Sequence, residues 1–239
     1  MRPAGKAAPF PSTPHTHLTM NLWQDFLTNR GKPIGKWVHY FSVYERHLAS
    51  KRNQSLVVLE IGVAGGGSGQ MWSRFFGPRA QVVGIDIDPA CAAHEGLGVA
   101  VRIGSQSDPA FLSSILDEFG VPDVVIDDGS HRMTDILATF QTIFPLMPKN
   151  SVYIVEDLHT AYWKSYGGGR ANPGTFINVC KHFVDQLNAF WGKEDGMTPD
   201  LITQDVFGIS FYDSMVVIEK GGVKWREAPV IGEGFNAPL

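Results

Sequence analysis

The sequence predicts an α/β fold, in which a mostly parallel β-sheet is covered by helices on both faces. An apolar segment at 56–62 runs into a turn that holds five glycines between Gly62 and Gly69. Strand-like and helix-like segments then alternate through the middle of the chain, which is the pattern of parallel sheets. Near the end, two strand-like segments are separated only by Asp213 and Ser214. We therefore expect a terminal hairpin, so that the last strand runs antiparallel to its neighbour.

The first 55 residues are expected to lie before the main sheet. Residues 1–19 are rich in Pro, Ala, Ser and Thr and contain no continuous apolar run, so we expect a loose tail and no secretory signal. Weak helical patterns follow at 20–30 and 37–49, and Gly31 and Pro33 end the first of them. We expect residues 20–55 to form a helical arm or lid over the glycine turn.

The main domain is expected at 56–222, followed by a C-terminal tail at 223–239. Its strands are predicted at 56–62, 81–87, 100–104, 124–128 and 151–156, before the hairpin at 206–212 and 215–220. Its helices are predicted at 70–76, 109–119, 132–144 and 173–191, with a short helical turn near 90–96. Asn172 and Pro173 suit the N-cap and the first position of the last helix. These elements give five βα repeats closed by a hairpin, which differs from the six-stranded dinucleotide-binding pattern.

The composition limits the class of partner. The chain has 239 residues and an apolar fraction of 44%, which fits one large domain with a full core. Its formal net charge of −4, without basic runs, argues against nucleic acid or an anionic membrane as the partner. No segment approaches the roughly 20 apolar residues of a transmembrane helix. Cys91 and Cys180 belong to no CxxC pair, so we expect a reduced, cytoplasmic setting.

The glycine turn and the next strand together predict a nucleotide-binding βαβ unit. Asp86 ends the second strand, 24 residues after Gly62. Glycines let the backbone approach a ligand closely, and a carboxylate at this strand tip can accept hydrogen bonds from both ribose hydroxyls. The alternative is that Asp86 is an ordinary loop acid. Ser105 and Gln106 follow the third strand and could line the edge of a purine ring.

Acidic residues end most of the predicted strands. Those acids are Glu60, Asp86, Asp127, Asp128, Glu156 and Asp157. Parallel strands bring their carboxyl ends to one edge of a sheet, so we expect the acids to converge there. Such a cluster is costly unless a cation or hydrogen-bond donors compensate, and carboxylate oxygens suit Mg²⁺ better than zinc. The alternative is that the acids cap helices or accept backbone N–H groups.

His131 and an aromatic cluster complete the candidate site. His131 follows Asp128 by three residues, and the ordinary pKa of a histidine, about 6.5, suits proton removal from a hydroxyl; the alternative is a capping or surface histidine. Tyr162 and Trp163 precede a glycine-rich stretch at 167–169, which predicts a loop that shapes a substrate pocket. The opposite wall could be formed by Lys36, Trp37, His39 and Tyr40. For these four residues, simple amphipathic packing is the alternative.

These motifs resemble those of class I S-adenosylmethionine-dependent methyltransferases. Narrower resemblances are to the metal-dependent sugar O-methyltransferases of macrolide biosynthesis and to the cephalosporin hydroxylase/rhamnosyl O-methyltransferase group. The matching motifs are Glu60-Ile-Gly-Val-Ala-Gly-Gly-Gly-Ser68, Gly84-Ile-Asp86, Val125-Ile-Asp-Asp-Gly-Ser-His131 and Val155-Glu-Asp-Leu-His-Thr-Ala-Tyr-Trp163. They lie within residues 36–170, and the last two motifs are the specific ones.

The resemblance implies a Rossmann-like, seven-stranded sheet whose last strand is antiparallel. It implies Mg²⁺ held by Asp128, Glu156 and Asp157, with His131 as the general base. It also implies S-adenosylmethionine bound over the glycine turn, with Asp86 on the ribose. Together with the strand-tip argument, this gives Glu60, Gly62, Gly65, Ser68, Asp86, Ser105, Gln106 and Asp127 as the expected cofactor residues. Members of the family form oligomers, so a homo-oligomer is expected.

The leading hypothesis is a Mg²⁺-dependent O-methyltransferase that acts on a hydroxyl of a small natural product, expected to be glycosylated, in a pathway such as antibiotic biosynthesis. The substrate residues expected are Lys36, His39, Tyr40, Tyr162 and Trp163. A second hypothesis keeps the metal but takes a catechol-like acceptor. A third is a cofactor-binding protein without methyl transfer, with the different chemistry of the hydroxylase-named relatives as one form of it. An NAD-dependent dehydrogenase fits least, because the turn is not a clean GxGxxG.

Overall fold

The protein is built around a seven-stranded β-sheet in a computed structural model that describes residues 21–192, 194, 196–221, 228, 230 and 232. The strands are β1 (Leu56–Ile61), β2 (Ala80–Asp86), β3 (Val99–Ile103), β4 (Val124–Asp127), β5 (Val152–Val155), β6 (Val206–Tyr212) and β7 (Met215–Lys220). They lie in the order β3-β2-β1-β4-β5-β7-β6. β1 to β5 pair in parallel, whereas β7 runs antiparallel to both β5 and β6. The predicted fold class, including its antiparallel last strand, is confirmed.

Seven α-helices accompany the strands in the part of the chain that the structure describes. They are α1 (Leu22–Leu27), α2 (Tyr40–Leu48), α3 (Gly67–Phe76), α4 (Pro109–Phe119), α5 (Met133–Ile143), α6 (Phe176–Asn188) and α7 (Leu201–Asp205). Short 3-10 helices lie at Pro89–His94 and Leu158–Tyr162, among others. α3 begins inside the glycine turn, three residues before the predicted start.

The start of α6 differs from the sequence prediction. The helix begins at Phe176, and its N-cap is Thr175, whose hydroxyl accepts from the backbone N–H of Asn178 at 3.3 Å. Asn172 instead accepts from the N–H of Gly174 at 2.9 Å, which forms a local turn. Asn172 and Pro173 thus form a turn before the helix. Thr175, whose side chain is also of the type found at N-caps, is the capping residue.

The core lies on both faces of the sheet. One cluster packs α1, α2 and α3 against the sheet and contains Tyr44 and Trp72, both fully buried. The other packs α4, α5 and α6 against the opposite face and contains Phe140 and Phe176. Burial of large apolar side chains drives this packing, at roughly 25 cal/mol for each Å² of apolar surface removed from water. The helices α1 and α2, which precede the first strand, consequently contribute side chains to the hydrophobic core.

The carboxyl ends of β1, β4 and β5 are level with one another. Ile61 pairs with Asp127, and Asp127 pairs with Val155. The backbone N–H of Glu156 continues this ladder, since it donates to the carbonyl of Asp127 at 2.9 Å. This register brings residues 128, 156 and 157 to one edge of the sheet. They lie close to the boundary between the paired strands β1 and β4, at which the strand order reverses.

Two predicted segments lie largely beyond the described residues. These are the N-terminal tail at 1–19 and most of the C-terminal tail at 223–239. Among the residues that the structure describes, none of the helices has the length and apolar character needed to cross a membrane.

Candidate active site

The glycine turn and the tips of β2 and β4 enclose a cleft of about 350 Å³, which we call the cofactor cleft. Gly62 lies on its wall with φ of +94°, a conformation that disfavours any side chain. A Cβ at this position would lie 2.2 Å from the carbonyl oxygen of Asp128. A glycine is therefore required for β1 and the loop after β4 to approach each other here.

Asp86 holds the glycine turn in place from the tip of β2. Its Oδ2 accepts from the N–H groups of Val63 and Ala64 at 2.8 and 3.0 Å, and its Oδ1 accepts from the N–H of Asp88 at 2.9 Å. Partial burial works to raise the pKa of Asp86, but these three hydrogen bonds outweigh it, so the pKa lies below its usual value. The charged carboxylate also lines the cofactor cleft.

The predicted cofactor residues divide into two groups. Four of them line the cleft, namely Gly62, Asp86, Ser105 and Gln106. The other four, Glu60, Gly65, Ser68 and Asp127, are not among the lining residues. Glu60 is buried behind the turn, where its carboxylate accepts from Ser68 Oγ at 2.9 Å and from Trp72 Nε1 at 2.8 Å. Burial raises the pKa of Glu60, while Lys36, Trp72 and Ser68 oppose the shift.

Asp127 lies beneath the floor of the cleft. Its Oδ1 accepts from Nε2 of Gln106 at 3.0 Å, and Oε1 of Gln106 accepts from the N–H of Ser130 at 2.7 Å. Burial raises the pKa of Asp127 to about 7, although the Gln106 bond opposes the shift. Gln106 thus links the end of β4 to the loop that follows it, and Asp127 fixes the orientation of Gln106.

Asp128, His131 and Asp157 form a group that could hold a metal ion. One ligand atom from each lies within 4.8 Å of the others. Nε2 of His131 is 4.0 Å from Oδ1 of Asp128 and 3.7 Å from Oδ2 of Asp157. His131 and Asp157 both have positive φ, +57° and +53°. Such backbone costs about 1–3 kcal/mol for a residue with a side chain and is found preferentially at functional sites.

The carboxylate of Asp157 is oriented by the segment before α2 and by α2 itself. Its Oδ1 accepts from Trp37 Nε1 at 3.0 Å and from the hydroxyl of Tyr40 at 2.8 Å. Tyr40 is completely buried, and its hydroxyl oxygen also lies 3.1 Å from the carbonyl oxygen of Ser214. With Oδ1 engaged in this way, Oδ2 is the oxygen that faces His131.

A buried lysine reaches the same acids. Nζ of Lys36 lies 2.6 Å from Oδ2 of Asp128, 3.0 Å from Oε2 of Glu156 and 3.8 Å from Oε1 of Glu60, and its side chain is 2% exposed. Burial alone would lower the pKa of Lys36, but the charges of these carboxylates raise it above its ordinary value. The ammonium is therefore a fixed positive charge among these carboxylates. We call Asp128, Glu156 and Asp157 the acid cluster.

Glu156 differs from its two neighbours in what it contacts. Its Oε1 accepts from the hydroxyl of Tyr44 at 2.7 Å, and its Oε2 faces Lys36. Burial raises the pKa of Glu156, and the ammonium of Lys36 opposes the shift. Burial and the nearby Glu156 charge also raise the pKa of Tyr44, so its hydroxyl keeps the proton that it donates. Glu156 thus lies beside the group of Asp128, His131 and Asp157 without belonging to it, and its assignment as a metal ligand stays a prediction.

Two further cavities lie beside the acid cluster. The first, about 340 Å³ and here called the carboxylate cavity, is lined by Gly35, Lys36, Trp37, Val38, Asp128, Glu156 and Asp157. The second, about 310 Å³ and here called the aromatic cavity, is lined by Trp37, His39, His159, Trp163, Asp213 and Ser214. Of the predicted substrate residues, Lys36 lines the first, and His39 and Trp163 line the second. Tyr40 is buried behind them, and the exposed Tyr162 lines neither.

Sequence reasoning missed two contributions to this site. Tyr44 lies four residues after Tyr40 on α2, a spacing that also fits simple core packing, so nothing in the pattern distinguishes a tyrosine that bonds a carboxylate. Ser214 lies in the hairpin turn, where its hydroxyl contacts Nδ1 of His159 at 2.6 Å. The sequence offered one indication of a role for Ser214. A hairpin whose second strand runs antiparallel to β5 places its turn at the same end of the sheet as the predicted acids.

The chain is similar to known proteins over most of its own length but over only about half of theirs. The chain is 37% identical over 201 residues to demethylmacrocin O-methyltransferase from Streptomyces fradiae, a match that covers 78% of this chain and 50% of the relative. It is 35% identical over 198 residues to mycinamicin VI 2''-O-methyltransferase from Micromonospora griseorubida, covering 77% and 49%. The chain thus spans about half the length of the curated relatives it matches. No protein-family model matches it.

Solved structures agree with this similarity. The MycE methyltransferase from the mycinamycin biosynthetic pathway, in complex with Mg and SAH, superimposes with a TM-score of 0.74 at 32% identity, covering 85% of this chain and 54% of MycE. MycE in complex with Mg, SAH and mycinamycin VI gives a TM-score of 0.73, covering 85% and 53%. At a TM-score of 0.53 and 18% identity, the apo-structure of CmcI-N160 shows the same fold.

Proposed function

This chain is a homologue of macrolide sugar O-methyltransferases, and on that premise we propose that it transfers a methyl group from S-adenosylmethionine to a hydroxyl of a glycosylated natural product, with Mg²⁺ as its metal ion. The observation that carries the proposal is that Asp128 lines both the cofactor cleft and the carboxylate cavity. Molecules bound in the two spaces would meet beside this residue, as direct transfer between them requires. We propose a role in the biosynthesis of an antibiotic or a related compound.

The cofactor would be held by the residues that line the cofactor cleft. Asp86 presents a charged carboxylate at the tip of β2, where it could accept hydrogen bonds from the ribose hydroxyls. Ser105 and Gln106 would border the base, and Gly62 permits the backbone to approach. Glu60, Gly65, Ser68 and Asp127 would act from behind by holding the turn and Gln106 in place. When bound, S-adenosylmethionine supplies an electrophilic methyl group, and we assign this role to residues 56–222.

The charge of the acid cluster fits a divalent cation. Asp128, Glu156 and Asp157 carry three negative charges when ionised, and the ammonium of Lys36 balances one of them. Because Glu60 also lies 3.8 Å from the same ammonium, the carboxylates outnumber the nearby cation. An excess of negative charge suits a divalent cation such as Mg²⁺, whose preferred protein ligands are carboxylate oxygens. We propose that these three carboxylates hold the ion, with Asp128 and Asp157 as the pair already grouped with His131. When bound, Mg²⁺ supplies positive charge that makes an acceptor hydroxyl more acidic.

His131 is our candidate for the general base. Its Nε2 faces the two carboxylates and its side chain borders the cofactor cleft. An acceptor hydroxyl beside Asp128 and Asp157 would lie within reach of this nitrogen, which would take the proton as the oxygen becomes a nucleophile. Most of the rate gain would come from alignment of the reacting groups and from charge stabilisation.

The substrate residues would act from the segment at 35–40 and from the loop after β5. Lys36 would hold Asp128 and Glu156 in place and present a positive charge to the acceptor oxygen. Tyr40 would orient Asp157 through its hydrogen bond. His39 and Trp163 would contact a more distant part of the acceptor in the aromatic cavity, and we propose that Tyr162 contacts it at the exposed rim.

We further propose that the protein assembles with copies of itself in the cytoplasm. β6 is an edge strand of the sheet and exposes Phe207 and Phe211, while Trp191 beyond α6 is 66% exposed. Apolar side chains on a sheet edge favour association. Cys91 and Cys180 are free and buried, which fits a reducing compartment. Light scattering on the purified chain would measure its mass in solution, and a monomer at every concentration would contradict the assembly.

The proposed function is tested by two linked measurements. Calorimetric titration of S-adenosylmethionine, with and without Mg²⁺, should give binding to the chain. Incubation with glycosylated acceptors and both cofactors should then yield S-adenosylhomocysteine and a product heavier by one methylene unit, as measured by mass spectrometry. Failure to bind S-adenosylmethionine, or binding without turnover on any hydroxylated acceptor, would contradict the proposal.

A further inference from the structure

The group of Asp128, His131 and Asp157 is divided between two loops that follow different strands. Asp128 and His131 lie after β4, whereas Asp157 lies after β5. The two loops meet where Nε2 of His131 lies 3.7 Å from Oδ2 of Asp157. Groups that act together in a site have to be held within about 0.5 Å of their working positions by the residues around them. Some contact must therefore fix the spacing between the two loops.

Thr160 bridges the two loops through a single hydroxyl group. Its Oγ1 lies 2.7 Å from the carbonyl oxygen of Asp157 and 3.2 Å from the carbonyl oxygen of His131. A hydroxyl has one proton to donate, so the shorter contact takes the larger share of it. The side chain of Thr160 is almost fully buried, since the residue is only 2% exposed. One buried donor thus contacts the backbone of the candidate base and that of a candidate metal ligand.

Only one of these two contacts has a local explanation. Threonine hydroxyls commonly bond the carbonyl three or four residues earlier in the chain, and the contact with Asp157 is of this type. The carbonyl of His131 lies 29 residues away in sequence and belongs to another loop. The fold therefore brings this second carbonyl to Thr160, and local turn chemistry does not account for it.

Both of the bridged residues have left-handed backbone conformations. Their φ angles are +57° at His131 and +53° at Asp157. A residue with a side chain keeps such a conformation only where the surrounding structure holds it. If the backbone relaxed to negative φ, the carbonyl group would turn away from its donor. A hydroxyl bound to both carbonyls therefore opposes relaxation of both residues at once.

Other hydrogen bonds hold each loop separately. The N–H of Ser130 donates to Oε1 of Gln106 at 2.7 Å, which attaches the first loop to the segment after β3. The N–H of Asp157 donates to the hydroxyl oxygen of Tyr40 at 3.1 Å, which attaches the second loop to α2. Neither of these bonds fixes the distance between the two loops. The hydroxyl of Thr160 does so directly, at the level of the backbone.

We propose that Thr160 is a positioning residue, whose hydroxyl sets the spacing between the imidazole of His131 and the carboxylate of Asp157. Thr160 is not among the residues that line the cofactor cleft, the carboxylate cavity or the aromatic cavity, so it acts through these two residues. The inference rests on the proposed function for the roles of His131 and Asp157, whereas the bridge between their carbonyls does not depend on it.

Substitutions at Thr160 separate the hydroxyl from the rest of the side chain. Thr160→Val keeps the shape and removes the hydroxyl, and Thr160→Ala takes its place if the valine variant does not fold. We expect kcat and the affinity for Mg²⁺ each to fall about tenfold or more, which is the usual effect of losing a partner outside the ligand shell. Thr160→Ser keeps the hydroxyl and should recover most of both quantities. Calorimetry in the presence of S-adenosylhomocysteine measures the Mg²⁺ affinity, and a steady-state assay measures kcat.

Crystal structures of the metal-free proteins measure the spacing itself. The distance from Nε2 of His131 to Oδ2 of Asp157 should exceed 3.7 Å in Thr160→Val and stay near that value in Thr160→Ser. Thr142→Val is the matched control, because it removes a hydroxyl that donates to the carbonyl of Ala138 on α5 at 2.7 Å. That variant should leave kcat, the Mg²⁺ affinity and the distance unchanged.

The possible results separate this inference from the proposed function. Unchanged kcat and Mg²⁺ affinity in Thr160→Val would overturn the inference. Equal losses in Thr160→Val and Thr160→Ser would also overturn it, because the methyl group and not the hydroxyl would then set the spacing. A wild-type chain that binds no Mg²⁺ would refute the proposed metal site, and the distance in the metal-free crystals would then decide whether Thr160 holds the two loops together.

Discussion

Nζ of Lys36 lies 2.6 Å from Oδ2 of Asp128, at a point where the carboxyl ends of three parallel strands meet. The same nitrogen contacts Glu156, so one cation joins two acids that 28 residues of sequence separate. Both partners are almost fully buried, since the side chains of Lys36 and Glu156 are only 2% and 1% exposed. Each partner therefore depends on the other for its charge to be tolerated.

Loss of the lysine should destabilise the fold and increase its response to magnesium. Lys36→Met leaves the carboxylates of Asp128 and Glu156 without their cation, and breaking a buried ion pair costs about 3–5 kcal/mol. We expect a fall of that order in the free energy of unfolding, measured by urea denaturation, and partial recovery on addition of Mg²⁺. Lys181→Met, at an exposed position on α6, is the control. Equal stability of Lys36→Met and the wild type would mean that the pair contributes nothing.

Loss of the candidate base should separate binding from turnover. His131→Ala should still bind S-adenosylhomocysteine, because the glycine turn and Asp86 remain. Its kcat should fall by about 10²-fold or more, which is the usual contribution of a positioned base. Calorimetry and a steady-state assay measure the two quantities, with His182→Ala on the exposed face of α6 as the control. Undiminished kcat in His131→Ala would exclude His131 as the base.

Removal of one charge from the acid cluster should weaken metal binding. Asp157→Asn keeps an oxygen that can accept from Trp37 and Tyr40, so the fold should persist. The proposed site loses a charged ligand, and we expect Mg²⁺ affinity to fall at least about tenfold, since even residues outside the ligand shell have effects of that size. Calorimetric titration of Mg²⁺ in the presence of S-adenosylhomocysteine measures it. Asp185→Asn, on the exposed side of α6, should bind like the wild type; equal affinity in Asp157→Asn would disprove its role.

The acid at the tip of β2 should give a characteristic pH dependence. Three backbone N–H groups outweigh burial and hold the pKa of Asp86 below its usual value. A depressed carboxyl pKa adds stability above the pKa of the unfolded state, about 3.9, and that stability disappears as the pH falls through the folded pKa. Asp86→Asn should therefore be less stable than the wild type at pH 6, with the difference shrinking below pH 4. Urea unfolding across this range measures it, and Asp117→Asn on α4 should show no such trend; a constant difference for Asp86→Asn would contradict the prediction.

The sheet and its acidic edge could be predicted from the sequence because both depend on local patterns. Buried parallel strands read as apolar runs, and such strands end at the same edge, so the convergence of Asp86, Asp128 and Asp157 follows from the order of the elements. The glycine turn was predictable for the same reason. Only glycine adopts the conformation at Gly62 without cost, and its place between a strand and a helix indicates a ligand site.

The contacts made by each acid could not be predicted, because they depend on tertiary packing. Glu156 and Asp157 are adjacent in sequence, yet one bonds Tyr44 and Lys36 while the other bonds Trp37 and Tyr40. Asp127 and Asp128 likewise separate, the first into the core and the second toward the cavities. Successive side chains at the end of a strand point in opposite directions, which explains why adjacent acids separate. Their partners, however, come from α2 and the segment before it, and no local sequence pattern specifies where these elements pack.

Lys36, Trp37, Tyr40 and Tyr44 lie before the first strand of the sheet, yet each of them contacts an acid at the ends of β4 and β5. A truncated protein cloned from Leu56 onward would keep the residues of every strand and the carboxylates of Asp128, Glu156 and Asp157, but would lose the side chains that orient those carboxylates. Chimeras made to exchange acceptor preference between related proteins should accordingly move residues 35–44 together with the two strand tips. Exchange of either portion alone would combine the hydrogen-bond donors of one protein with the carboxylates of another, and the two sets would not match.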